Sequence, residues 1–259
     1  KIFGKGWSPE IDTMDTFVCS SWYYLRYPDN NNINKAFDSD LINKMLPVDI
    51  YIGGSEHATM HLLYARFINK ALRDLGYLDF NEPFKKLYHQ GTITKDGSKM
   101  SKSKGNTVSP DDFIEEYGSD TFRCYLMFMG PFDEGGDWND KGIKGIYRFL
   151  NKIIAICNKT NSDETELDFQ KIIHKTIKGV GEDLERIKFN TAISKLMTCS
   201  NELNSAKSIS LYDKKVLIKL LAPFAPHLSE ELWEDLGEEI SVFNNDWPAY
   251  SKNLIIDDT

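Results

Sequence analysis

Two stretches concentrate residue types that can act on a charged ligand. "KDGSKMSKSKGN", residues 95–106, sets four lysines among two glycines, three serines and one aspartate. Lysine is a compact point charge on a flexible stem, and glycine and serine let its backbone bend, so the segment suits an anion that must be gripped and then released. A solvated hairpin tip has the same composition. "GGSEHATMH", residues 53–61, offers Gly53 and Gly54 followed by Glu56, His57 and His61. The histidine spacing invites a zinc test, but the zinc-protease pattern needs glutamate directly after the first histidine. Ala58 stands there, so no metal is expected. What remains is a backbone that a planar ligand or phosphate can approach, ahead of a helix N-terminus that favours negative charge; a capped strand-to-helix turn accounts for the same residues. Phe17, Ser20 and Tyr23 recur at steps of three, giving one face of a helix that is either a binding wall or core.

The elements that must hold these residues are partly legible. "VDIYIGG" (48–54) reads as a short buried strand, and the helix after it runs from Glu56 to a stop at Gly76. Strand, glycine pair and helix make half of a βαβ unit. "FKKLYHQGTITKDG" is a strand reaching a turn at Asp96-Gly97, with the lysine loop beyond. Ser109 as N-cap, Pro110 and two acids open the next helix. From Asn139 onward only helical periodicity appears. Four amphipathic segments predict an antiparallel bundle, the last kinked or divided by Pro223 and Pro226. The domain boundary is expected near residues 133–140, giving domains 1–136 and 137–259. The acids Glu230, Glu231, Glu234, Asp235, Glu238 and Glu239 read as a solvated face, and "DNNNINK" as a loop.

Composition bounds the rest. In 259 residues, 31 Lys and Arg against 39 Asp and Glu give a formal charge of -8, which excludes a uniformly basic surface for nucleic acid. A local basic patch still works, because screening confines charge effects to about 10 Å. Four scattered cysteines fit neither a zinc knuckle nor a disulfide framework, and a reducing cytoplasm is expected. No run approaches the roughly 18 apolar residues of a membrane span. The sequence opens at Lys1 without methionine, so a fragment or processed subunit is expected.

"KMSKS" (99–103), "GGSEHAxxH" upstream and "DTFVCSSWYYLRY" before that, taken with "DWND" and the late "LAPFAPHLSEELW", resemble the class I aminoacyl-tRNA synthetases, and within them the leucine branch. The valine and isoleucine enzymes share the lysine loop and the late helix. The resemblance implies an α/β fold, half of a Rossmann-type nucleotide-binding domain followed by an all-α bundle of the anticodon-binding type. It implies ATP with Mg²⁺, leucine and tRNA(Leu) as substrates. Lys99 and Lys102 would stabilise charge on the departing pyrophosphate, with Met100, Ser101 and Ser103 completing the loop over the phosphates. Gly53 and Gly54 would lie against adenosine and Glu56 would hold ribose hydroxyls, with His57 and His61 lining the cleft. Phe17, Ser20, Tyr23 and His61 would shape the leucine pocket. Lys141, Lys144 and Arg148 are candidates for tRNA contact, against a solvated helix face.

Three departures bear on the expectation. The family's His-x-Gly-His signature does not occur in this sequence, nor does its editing insertion with a zinc segment; "KGWSPEIDTMDTF" runs across the place where the chain would return from that insertion. Cys19 stands where the family carries an acid. With one side of the ATP site, the chain alone is expected to be inactive and to need the first half of the catalytic domain. A non-catalytic piece that docks tRNA or a partner is the other expectation.

Overall fold

The structure is a computed structural model that describes residues 11–255 together with Gly6 and Ser8. Most of the "KGWSPE" stretch lies outside the described residues. The chain divides into two compact units between Gln90 and Gly91, well before the change of periodicity near residue 136.

In the first unit, α1 (Thr16–Ser20) is capped by Asp15, whose carboxylate accepts the Phe17 amide at 2.8 Å. The single helix expected to carry Phe17, Ser20 and Tyr23 is instead two, because the chain breaks at Ser21-Trp22 and resumes as α2 (Tyr23–Arg26). Tyr24 and Leu25 of α2 enter a small core with Ile42, Ala65 and Leu78. The Asn-rich loop that follows is irregular, as read. Arg26 organises it by donating to the carbonyls of Asn30, Asn32, Lys35 and Ala36. Helix α3 (Ser39–Met45) then leads to β1 (Tyr51–Gly53). That strand is not buried as predicted: Ile52 keeps 51 % of its surface, since β1 carries the apolar run but, among the described residues, pairs only with β2 (Leu87–His89), in parallel. Helix α4 (His61–Asp74) begins one turn later than read. Residues 55–59 form a 3₁₀ turn, and Met60 leaves helical geometry at φ -115°, ψ -105°. His57 and His61 therefore do not share a helix face. Gly76 ends the helix as expected, at φ +80°.

The second unit starts with a hairpin, β3 (Thr92–Lys95) and β4 (Ser98–Lys99). Its turn has Asp96 at φ +54° and Gly97 at φ +69°, the geometry that twists two strands together and that the Asp-Gly pair favours. After the lysine loop come α5 (Pro110–Tyr117) and α6 (Ser119–Phe128). Pro110 and the acids Asp111 and Asp112 sit in the first turn as read, while the Ser109 side chain makes no capping bond. A strand missed in the sequence, β5 (Gly135–Trp138), pairs in parallel with β3. Its glycines hid it, yet they permit it: at Gly135, φ +82°, a Cβ would fall into the Thr92 carbonyl.

The bundle contains α7 (Ile143–Cys157), α8 (Leu167–Glu185), α9 (Phe189–Leu203), α10 (Leu211–Leu221) and α11 (Pro226–Asp235). Pro223 and Pro226 divide the last predicted segment into two helices. Two short strands not expected from sequence, β6 (Thr160–Ser162) and β7 (Ser208–Ser210), pair in parallel at one end. Lys214, 2 % exposed, ties that end to α10 through the Lys159 carbonyl and Asn161 Oδ1, and burial pushes its ammonium below the usual lysine range. The bundle core is continuous with Trp138 and Tyr125, so β5 and α6 pack on it. Asp120 of α6 accepts both His227 Nδ1 (2.8 Å) and the Leu228 amide (2.7 Å), seating the N-terminus of α11. The acid-rich end is only partly a solvated face. Glu230 accepts from the Ser241 hydroxyl and Val242 amide, and Glu238 pairs with Lys215.

Candidate functional site

In the first unit, the candidate residues gather around the end of β1. Strand geometry carries Tyr51 to one face and delivers Gly53 and Gly54 to the turn. Tyr51 stacks flat on Phe84, centroids 3.8 Å apart, and its hydroxyl sits between two partners. It bonds Tyr23 Oη at 2.6 Å and His61 Nε2 at 2.7 Å. Sequence reading selected both ends of that chain and missed its centre, because Tyr51 looked like an ordinary strand residue. Phe17 completes the wall, its ring 6.3 Å from that of His57 and 5.9 Å from Tyr64. Ser20 is not part of this contact set; its hydroxyl donates back to the Phe17 carbonyl at 3.3 Å.

A cavity of about 310 Å³ opens here, lined by Tyr51, Gly53, Gly54, His57, His61 and Gln90 among others. That volume lies at the lower end of small-ligand sites. Two observations mark it as built for polar contact. His57 Nδ1 and His61 Nδ1 are both buried without a hydrogen-bond partner, an arrangement that costs free energy until something supplies one. Space above Gly53 is open, whereas the Glu56 carboxylate folds over Gly54. Burial first, and the neighbouring His57 second, hold the His61 imidazole below its usual pKa. A neutral imidazole has one N–H donor and one acceptor nitrogen, so it hydrogen-bonds without bringing charge. His89 of β2 donates from Nδ1 to the Gly53 carbonyl at 3.1 Å, fixing the strand end that carries the glycines.

In the second unit, the candidate lysines gather on one loop. Lys99 ends β4, and Lys102 to Lys104 form a single 3₁₀ turn. Lys99, Lys102 and Lys104 are exposed, and among the described residues no carboxylate pairs with them. Met100 between them is half-buried and packs against the core with Val108. Asn106 braces the loop from inside: its Oδ1 accepts the Ser101 amide at 2.9 Å and its Nδ2 donates to the Lys99 carbonyl at 3.3 Å. Ser101 and Ser103 hydroxyls bond each other at 3.1 Å, and Ser101 Oγ also accepts the Lys104 amide. The lysines are thus presented on a shaped loop, free to meet an anion. Lys141, Lys144 and Arg148 are all exposed, the last two joined by Arg148 Nε donating to the Lys144 carbonyl at 3.3 Å. Among the described residues no cluster of three or more His, Cys, Asp or Glu could hold a metal ion, and no helix is long and apolar enough to cross a membrane.

Residues 8–137 match the family model of the tRNA synthetases class I (I, L, M and V). The chain belongs to the class I tRNA synthetases. Residues 168–259 of this synthetase chain match the anticodon-binding domain of tRNA ligase. Curated relatives include the leucine--tRNA ligases of Clostridium perfringens, 53% identical over 98% of this chain, and of Clostridium kluyveri, 52% identical over 98%. The synthetase chain spans about a third of the length of these relatives, 34% in each case. A crystal structure of the ternary complex of Agrobacterium radiobacter K84 agnB2 LeuRS-tRNA-LeuAMS superimposes with a TM-score of 0.85 at 39% identity, covering 95% of this chain and 35% of that one. The α/β class with a helical domain after it accords with that neighbour.

Proposed function

We propose that the chain is part of a leucine--tRNA ligase, which activates leucine with ATP and Mg²⁺ and transfers it to the terminal adenosine of tRNA(Leu). The agreement of 98% of the chain with leucine--tRNA ligases at 53% identity carries this reading. In it, the leucine carboxylate attacks the α-phosphate of ATP, the bond to the bridging oxygen breaks and pyrophosphate leaves. Phosphoryl transfer asks a protein mainly to position and to neutralise. The unpaired Lys99 and Lys102 serve as the catalytic cations, and Met100, Ser101 and Ser103 shape the loop over the phosphates. The open floor at Gly53 and Gly54 takes adenosine, Glu56 turns from Gly54 to the ribose hydroxyls, and the orphaned Nδ1 atoms of His57 and His61 find partners on the adenylate. Phe17, Tyr23 and His61, with Tyr51, form the wall of the leucine pocket, and Ser20 borders it from α1. Lys141, Lys144 and Arg148 meet tRNA.

The domain boundary belongs at 136/137, which the family matches at 8–137 and 168–259 support. The first half of the catalytic domain docks on β1, whose apolar Ile52 stays half exposed. Four free cysteines suit a reducing cytoplasm.

Amino-acid-dependent ATP–pyrophosphate exchange by the full-length enzyme tests the reading. Leucine should drive exchange and valine or isoleucine should not, and Lys99→Ala should slow it by about 10²-fold. Exchange driven by valine or isoleucine alone would reject the assignment.

A further inference from the structure

Strand β3 is the middle of three, with β4 on one side and β5 on the other. Register pairs Thr94 with Lys99 across one edge and with Asp137 across the other, so the three side chains rise in one row from one face. The exposed Asp137 carboxylate reaches along that row: Oδ1 accepts the Thr94 hydroxyl at 2.6 Å and the Gly97 amide at 2.9 Å. It therefore ties β5 both to the strand and to the tip of the hairpin. Those bonds, the Thr94 hydroxyl foremost, hold its carboxyl below the usual carboxylate range. The neighbouring Lys95 is otherwise engaged, 3.7 Å from Asp140. The contact matters beyond stability because β4 is two residues long and its register depends on the turn. A slip of one residue would send Lys99 to the opposite face of the sheet.

We propose that Asp137 is a positioning residue for Lys99: its carboxylate locks the Asp96-Gly97 turn to β5 and fixes the face from which the lysine leaves. The proposal rests on the reading of Lys99 as the cation that meets the leaving group in leucine activation. In the full-length enzyme, Asp137→Asn lowers kcat for leucine-dependent exchange about tenfold, as a small misplacement of a reacting group does, while KM for leucine stays within about twofold. Asp137→Glu restores most of the loss. Thr94→Val, close in shape and suited to a strand, lowers kcat by a smaller factor and adds nothing to Asp137→Asn. Wild-type kcat in Asp137→Asn, or full additivity of the two changes, overturns the proposal. Should Asp137→Asn fail to fold, Thr94→Val decides alone. Should the wild-type enzyme show no leucine-dependent exchange, the reading of the site fails but the clamp is judged separately. Hydrogen exchange at the Gly97 amide of the 259-residue chain, followed by NMR, then accelerates on the order of tenfold in Asp137→Asn if the clamp exists. Unchanged exchange overturns it.

Discussion

Tyr51 shows how one hydroxyl can organise a pocket. It bonds Tyr23 and His61 at once, and its ring is pinned by Phe84, so neither neighbour can turn without breaking a contact. Burial first, then the bond to Tyr23, raises its phenol well above the usual tyrosine range, which keeps the hydroxyl protonated at any working pH. Tyr51→Phe removes both bonds and leaves two polar atoms to seek other partners, at about 1–3 kcal/mol. In the full-length enzyme this is expected to raise KM for leucine roughly tenfold and leave KM for ATP unchanged, measured by exchange kinetics. An equal change in both constants would mean that Tyr51 does not face the amino acid.

At the level of the elements, glycines decide where β3 can be paired. Gly135→Ala places a methyl group in the Thr92 backbone at a positive φ, and no side chain can move aside to accept it. Overpacking and left-handed strain together should cost about 3 kcal/mol, read as a lower midpoint in urea unfolding. An unchanged midpoint would show that the β3–β5 pair forms differently. The same strand explains the limits of sequence reading. "GGDW" offers only Trp138 as a strand former against two glycines and an aspartate, and its place is set by close backbone approach and by Trp138 anchoring in the core. Likewise the break at Ser21-Trp22 interrupts a run whose spacing is helical throughout, since Tyr24 and Leu25 must turn into the small core. By contrast the Asp96-Gly97 turn, the stop at Gly76 and the division at Pro223 and Pro226 were legible, because each follows from the residue's own backbone preference. Of the site, the lysines, glycines and histidines stood out by type and spacing. Tyr51, Asn106 and Asp137 did not, since their roles come from contacts that bring separate segments together.

For the molecule as a whole, a net charge of -8 makes any hold on nucleic acid local. Lys141 lies in the turn just before α7, and Lys144 and Arg148 lie on its first two turns; all three are exposed, with no acid between residues 141 and 157. Replacing all three by glutamate should weaken binding of tRNA(Leu) to the full-length enzyme and flatten its salt dependence, the slope of log K against log salt falling by about one unit per lost phosphate contact. Leucine-dependent exchange without tRNA should be unaffected. A salt slope equal to that of the wild type would move the nucleic-acid contact elsewhere.

Met100 puts a bound on all of this. With its side chain held against the core, it acts as a peg between the two lysines, one residue after Lys99 and two before Lys102. A chain advances at most about 3.6 Å per residue, so the Lys102 α-carbon stays on a leash of about 7 Å from the peg, however the loop swings. Reach beyond that arc must come from the lysine stem alone, and shortening the stem would leave the charge stranded short of its target even with the backbone intact.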